Sequence, residues 1–304
     1  SWMVGAVDCA ACVKIVGLAP LVPIVPALHK EVLLQQRSYG GLTFAFKDYL
    51  DAGILQHFET PALDLLLSHV DPIALPYASR LARLPKHVVL SSDDEFMQMD
   101  WPALWKADMR GETNLLIIPN SEHSLATGLP ELLASVSAFV ASVAAGETAR
   151  PSFTYARNAT TGAISLSVPA GVEHGKVVLR HAHTLQSERR DFRWVRLAND
   201  SDPRLEPCKL PGIKAGTNCV QPIVWLGKTL TPSVGLSGEA VYSALPPSTS
   251  SGWVGYYVEI FFPSLVKKGV LPSEFQFSTP GYVWPDTLPF SACNFSDPAC
   301  IALV

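Results

Sequence analysis

Two short runs constrain this chain more than any other feature. His87–Leu90 in "KHVVLSSDDEFMQMD" and Leu115–Ile118 in "TNLLIIPN" are apolar with almost no in–out alternation. Strands that are apolar on both faces belong to parallel sheets covered by helices on each side. The surrounding sequence supplies those helices. Ser1–Ala11 reads as the tail of a helix and Val13–Leu18 as a strand. Residues 29–82 are helical in pattern, with Thr60 placed to cap "PALDLLLSHV". "DWPALWKADMRG" reads as a helix stopped by Gly111, and "LPELLASVSAFVASVAAG" as a long amphipathic helix ended by Gly146. Residues 1–147 are therefore expected to form an α/β domain with a helical insertion at about 29–82.

At "AGETARP", Ala145–Pro151, the pattern changes. Short alternating runs follow: "AISLSVPAG", "GKVVLRHAHTL", "RWVRLA", "WVGYYVEIFF" and "GYVWP". With Gly and Pro turns between them they predict an all-β sandwich over 151–304. The 304 residues carry a net charge of −4, which gives no basic footprint for nucleic acid. "IVGLAPLVPIVPAL" is apolar but broken by Pro20, Pro23 and Pro26, and it is shorter than the ~20 residues a spanning helix needs. It reads as a buried strand and a Pro-rich turn. Cys208 and Cys219 flank one Pro/Gly-rich loop and Cys293 and Cys300 another, so both pairs are disulfide candidates. Cys9 and Cys12 have C-x-x-C spacing in an Ala/Val-rich stretch. Glycosylation sequons occur at Asn158, Asn199 and Asn294. Loop-closing cysteines and sequons together point to a secretory compartment.

Chemistry concentrates at the exits of the two apolar strands, the edge of a parallel sheet where ligands bind. The first delivers Asp93, Asp94 and Glu95; the second delivers "PNSEHSL" and hence His123. An acid after one strand and a histidine after the next match the chain order Ser…Asp…His of α/β-hydrolases. Such a histidine takes the nucleophile's proton, and a buried carboxylate fixes its tautomer. Simpler roles compete. Asp100 before "WPALW" fits a helix N-cap, Asp93 and Glu95 fit a solvated turn, and His123 alone fits a surface loop. His181 and His183 share a strand face but lack a third metal ligand. His29, His57, His69 and Asp71 lie in the insertion and could line a pocket. Residues 1–145 contain no G-x-S-x-G, and Ser91, Ser92, Ser121 and Ser124 fall at the wrong place in the order.

"SYGGLTFAFKDYLDAGI", Asp71–Pro72, "LPKHVVLSSDDEFMQMD", "IPNSEHSL", "RRDFRW" and "TSSGWVGYYVEIFFPS" resemble, in order, the PhoPQ-activated pathogenicity-related protein and autocrine proliferation repressor family. The resemblance implies an α/β-hydrolase domain followed by an immunoglobulin-like domain in a secreted or periplasmic protein. The family's D-E-F-F falls on Asp94, Glu95, Phe96 and Met97, the last a departure, and its histidine motif falls on His123. Asp93 stands where glycine is more usual; if the turn needs a positive φ, aspartate tolerates it better than most residues. "SWMVGAVD" resembles the stretch after the family's G-x-S-K-R-G-W-T-x-W elbow, with Trp2 as its final Trp. The nucleophile is then expected a few residues before Ser1, making this chain a C-terminal fragment, inactive alone. The expected activity is hydrolysis of an ester or peptide, without cofactor or metal, with Asp94 orienting His123 and Asp93 and Glu95 in secondary roles. The alternative is a non-catalytic secreted signalling or binding protein acting through a cell-surface receptor.

Overall fold

A computed structural model describes residues 2–7, 15–74, 77–198, 207–208, 212–264 and 273–304. In the first half, α1 (Trp2–Val7), α2 (Leu28–Tyr39), α3 (Lys47–Asp51), α4 (Pro61–Val70) and α5 (Tyr77–Leu81) precede β1 (Lys86–Ser91). β2 (Thr113–Ile118) then leads to α6 (Leu129–Ala144). β1 and β2 pair in parallel, from Lys86 opposite Thr113 to Ser91 opposite Ile118. Both are buried along almost their whole length, as strands without alternation must be. Even Lys86 is buried, its Nζ donating to Leu81 O and Leu84 O at 2.7 and 2.8 Å.

Three local expectations need correction. The chain before β1 pairs with it later than Val13–Leu18, and residues 13–14 lie outside the described residues. Leu18 N donates to Pro85 O, His87 N to Leu18 O, Val89 N to Pro20 O and Val22 N to Val89 O. The result is two parallel bridges rather than a strand, because Pro20 has no N–H and Val22 turns to φ 39°. "DWPALWKADMRG" forms only a 3-10 turn at Trp101–Leu104, and Asp100 does not cap it. The Asp100 carboxylate instead accepts from Arg190 Nη2 at 2.5 Å. Thr60 does precede α4, but its hydroxyl donates back to His57 O at 2.8 Å rather than capping.

The second half is antiparallel. Its strands are β3 (Thr154–Arg157), β4 (Ile164–Val168), β5 (Val177–His183), β6 (Val195–Leu197), β7 (Ile213–Ala215), β8 (Asn218–Val220), β9 (Leu226–Thr229), β10 (Ser233–Val234), β11 (Ala240–Ala244), β12 (Val254–Pro263), β13 (Glu274–Ser278) and β14 (Tyr282–Trp284). They form a four-stranded sheet, β10-β11-β4-β3, and a sheet in which β12 joins β13, β14 and β5, with β9 beyond β5. A small three-stranded sheet, β6-β8-β7, stands apart from both. Ile164, Leu166 and Val168 of the first large sheet meet Tyr256, Val258, Ile260 and Phe262 of the second in one apolar cluster. The opposite face of the second sheet, through Ala182, Tyr257 and Val283, joins the cluster that holds Val88, Leu90, Leu115 and Ile117. β12 is thus covered on both sides, which is why "VGYYVEIFF" does not alternate in polarity. Ser278 Oγ accepts from Ile117 N at 3.1 Å, tying β13 beside β2.

Cys208–Cys219 and Cys293–Cys300 are disulfide-bonded; Cys9, Cys12 and Asn199 lie outside the described residues. Asn158 and Asn294 are exposed, in turns closed by their own side chains. Among the described residues, no helix is long and apolar enough to cross a membrane.

Candidate functional site

β1 and β2 release the chain side by side. Their pairing continues past the strand ends, with Ser92 N donating to Ile118 O and Asp93 N to Ser121 O, both at 3.0 Å. The turn at 92–97 therefore lies against the loop at 119–128. Across that seam, His123 Nδ1 sits 2.9 and 3.0 Å from the two Asp94 oxygens. The Asp94 side chain is 1% exposed and that of His123 37%, so the acid is enclosed and the imidazole reaches the surface. Asp94 also accepts from Phe96 N at 2.6 Å, Met97 N at 3.0 Å and Ser91 Oγ at 3.1 Å. The turn folds around its carboxylate and fixes where it points.

Glu95 takes a supporting position, accepting from His123 N at 3.1 Å. Burial disfavours the imidazolium, but the hydrogen bond and charge of Asp94, helped by the charge of Glu95, outweigh it and raise the His123 pKa above the ordinary value. Burial likewise raises the Glu95 pKa. The Phe96 ring packs 5.2 Å from the His123 ring. Among the described residues, the ring's hydrogen bonds are all on Nδ1.

The turn at Asp93 needs no positive φ. Asp93 is a buried clamp on the second half: Trp225 Nε1 donates to its Oδ1 at 2.6 Å, and Trp194 N to its carbonyl at 3.0 Å. Asn120, which does have φ 55°, grips the same tryptophan, accepting from Trp225 N and donating to Trp225 O. Burial pushes the Asp93 pKa well above the carboxylate range. The nearby serines hold loops: Ser91 bonds Asp94, Ser92 accepts from Asn120 N, and Ser124 donates to Glu122, with Ser121 turned to Glu122 O.

A layer beneath the turn was not predicted from sequence. On α2, Glu31 accepts from Gln98 N at 2.8 Å and from Gln35 Nε2 at 2.9 Å, while Gln35 Nε2 also donates to Phe96 O at 2.6 Å. Thr43 Oγ1 donates to Glu95 O. Glu31 is fully enclosed, and burial raises its pKa to about 8. Its spacing to Gln35 and Ser38 along one helix face was visible, but polar residues at that spacing ordinarily mean a solvated face. Beside this layer, Arg193 makes a forked contact with Asp191, with Nε and Nη2 at 2.9 and 2.8 Å, and lies 4.1 Å over the Tyr39 ring. Both residues belong to "RRDFRW", as does Arg190, the partner of Asp100.

A cavity of about 370 Å³ opens nearby between α1 and the insertion, lined by apolar side chains that include Trp2, Tyr49, Phe58 and Leu66. The insertion's His29, His57, His69 and Asp71 do not line it. Asp71 accepts from Ala27 N at 2.7 Å and Ile73 N at 3.1 Å, holding the start of α2. His181 and His183 stand ring to ring at 6.3 Å, and no group of three or more metal-ligating side chains occurs among the described residues.

Comparison with known proteins places these features in context. The family model for the PhoPQ-activated pathogenicity-related protein matches residues 1–193. Autocrine proliferation repressor protein A of Dictyostelium discoideum is 28% identical over 303 residues, covering 97% of this chain and 55% of that protein. The chain spans about half the length of that curated relative. No solved structure matches.

Proposed function

The chain belongs to the PhoPQ-activated pathogenicity-related protein family, and from that premise we propose that it supplies the acid and base of a secreted serine hydrolase. In this proposal the scaffold is of the α/β-hydrolase type, with an immunoglobulin-like sandwich behind it. Asp94 is the acid, His123 the base, and the serine lies upstream of Ser1. As the serine oxygen attacks the acyl carbon of an ester or peptide, His123 Nε2 takes its proton. Asp94, bonded to Nδ1, holds the ring and stabilises the imidazolium. Nε2 then passes the proton to the leaving group, and the acyl-enzyme is hydrolysed by the same cycle with water. The observation that carries this proposal is the contact of Nδ1 with both Asp94 oxygens, which leaves Nε2 for proton transfer. Two disulfides and two exposed sequons support a secreted protein.

The name of the relative, an autocrine proliferation repressor, favours a second function. A hydrolase scaffold that has lost its chemistry can act as a secreted signal through a cell-surface receptor, since fold does not fix function. A fluorophosphonate that reacts with activated serines separates the two. Labelling of the folded full-length protein that disappears in His123→Ala is the result expected of the hydrolase. Folded protein that takes no label assigns it to the signalling class.

A further inference from the structure

The cavity beside α1 holds neither Asp94 nor His123, but aromatic rings connect it to the histidine. Trp2, in its wall, stands just after the stretch in which the nucleophile is placed, and Tyr49, also in its wall, leads to the histidine. The Tyr49 ring meets the Phe96 ring edge-on at 6.3 Å, and Phe96 packs on His123 at 5.2 Å. Phe46 braces both rings from below, at 5.3 and 5.1 Å. A wall of aromatic rings therefore runs from the imidazole to the cavity.

The lining itself selects a chemistry. Its residues, among them Trp2, Met3, Tyr49, Phe58, Leu63 and Leu66, are aliphatic or aromatic, and none is charged. The Trp2 indole N–H is already taken by Val25 O at 2.9 Å. At the base, Phe58 and Leu63 are buried, whereas Met3, Ile54 and Leu66 are exposed by 36–50%. The volume falls within the roughly 300–1,000 Å³ typical of small-molecule sites. Such a space rewards an uncharged aliphatic chain and penalises a charged or strongly polar one.

We propose that this cavity binds an aliphatic acyl chain of the substrate, so that the protein is an esterase selective for medium-length acyl groups. The proposal rests on the hydrolase function above for its catalytic part. The acyl carbonyl sits at His123, the chain passes Phe96 and Tyr49, and its tail lies against Phe58 and Leu63. Selectivity comes from apolar area alone, and so depends on chain length and not on a specific polar contact.

The test uses full-length protein and two independent measurements. In hydrolysis of p-nitrophenyl esters, kcat/KM rises about fourfold per added methylene from acetyl until the cavity is filled. A flat or falling series overturns the acyl assignment. In the second, 1-aminoanthracene binds His123→Ala protein and is displaced by decanol, which needs no catalysis. Leu66→Asp, at the half-exposed rim where folding tolerates a charge, weakens both ligands at least tenfold and lowers the decanoyl-to-acetyl ratio of kcat/KM by a similar factor. Absence of probe binding to folded protein overturns the cavity site itself. Probe binding that is sensitive to Leu66→Asp, in a protein that hydrolyses no ester, retains the aliphatic site and rejects the hydrolase.

Discussion

Asp93 and Asp94 are neighbours in one turn and each is 4% exposed, yet they face different parts of the molecule. Asp94 looks along the sheet edge to His123, a titratable ring that reaches the surface. Asp93 looks across to Trp225, an indole N–H whose charge never changes. Asp94 also gathers two backbone N–H groups and a serine hydroxyl. Asp93 sits where burial favours its neutral form. Equal burial therefore does not separate the two; their partners do. Asp94 is held as an oriented acceptor beside His123, and Asp93 joins the two halves of the chain.

The largest effect separating the two concerns turnover. Asp94→Asn keeps the shape but offers His123 the wrong hydrogen-bonding partner, and under the proposed hydrolase function is expected to lower kcat of the full-length protein on the order of 10³–10⁴-fold. Asp93→Asn, which keeps an acceptor for Trp225, is expected to stay within about tenfold. Ester hydrolysis by the two purified variants measures this, and equal losses would erase the distinction. A stability effect comes next. Arg193 lies fully buried against Asp191 and donates to Val304 O at 2.9 Å. Burial alone would raise the Asp191 pKa, but the Arg193 charge and hydrogen bonds outweigh it and hold it low. Arg193→Met strands that carboxylate, and urea unfolding should show a loss of roughly 3–5 kcal/mol. Paired replacement of Asp191 and Arg193 by apolar residues should recover much of it.

These contacts mark what was legible in the chain. The acid and histidine loops were readable because both follow unbroken apolar runs, and a parallel pair places its exits together. In the second half β4, β5, β6, β12 and β14 were readable as short runs between Gly and Pro turns, but β12 was read as alternating and is not, because both its faces are buried. Asp93 with Trp225 spans 132 residues and Arg193 with Val304 spans 111; no local pattern encodes a partner so far away. Asp100 shows the opposite failure. Its cap position was correctly placed in sequence, and a distant arginine claimed the side chain. The buried Glu31 and Gln35 carried a local signal that pointed the wrong way, toward solvent.

A smaller effect concerns pH. A carboxyl whose folded pKa is raised adds stability that is complete below the unfolded value near 4 and is lost as pH rises through the folded value. Asp93 behaves this way, as do Glu31 and Glu95. The difference between wild type and Asp93→Asn isolates the first. The two proteins should unfold alike near pH 4, with the asparagine variant gaining relative stability toward pH 8. Asp93→Ala behaves otherwise, because it leaves the Trp225 N–H buried without an acceptor, at a cost of about 1–3 kcal/mol. If Asn and Ala lose equal stability at pH 8, the carboxyl works as an anion and the contrast with Asp94 fails.

The finest measurement is the titration of His123 itself. Its folded pKa stands above 6.5, with Asp94 as the main cause opposing burial and Glu95 assisting. Stability linked to this ring is therefore complete below pH 6.5 and fades as pH rises through the folded pKa. Imidazole resonances followed by NMR should show the raised value in wild type. In Asp94→Asn the supporting charge is gone while burial remains, so the pKa should drop below 6.5. Asp93 is not among the groups that set the His123 value, so Asp93→Asn should leave it within a few tenths of a unit, a range smaller than one hydrogen bond commands. Equal movement in both variants would mean that the imidazole senses the general charge of the turn. A drop confined to Asp94→Asn would mean that it senses one carboxylate through Nδ1, which is the arrangement proton transfer at Nε2 requires.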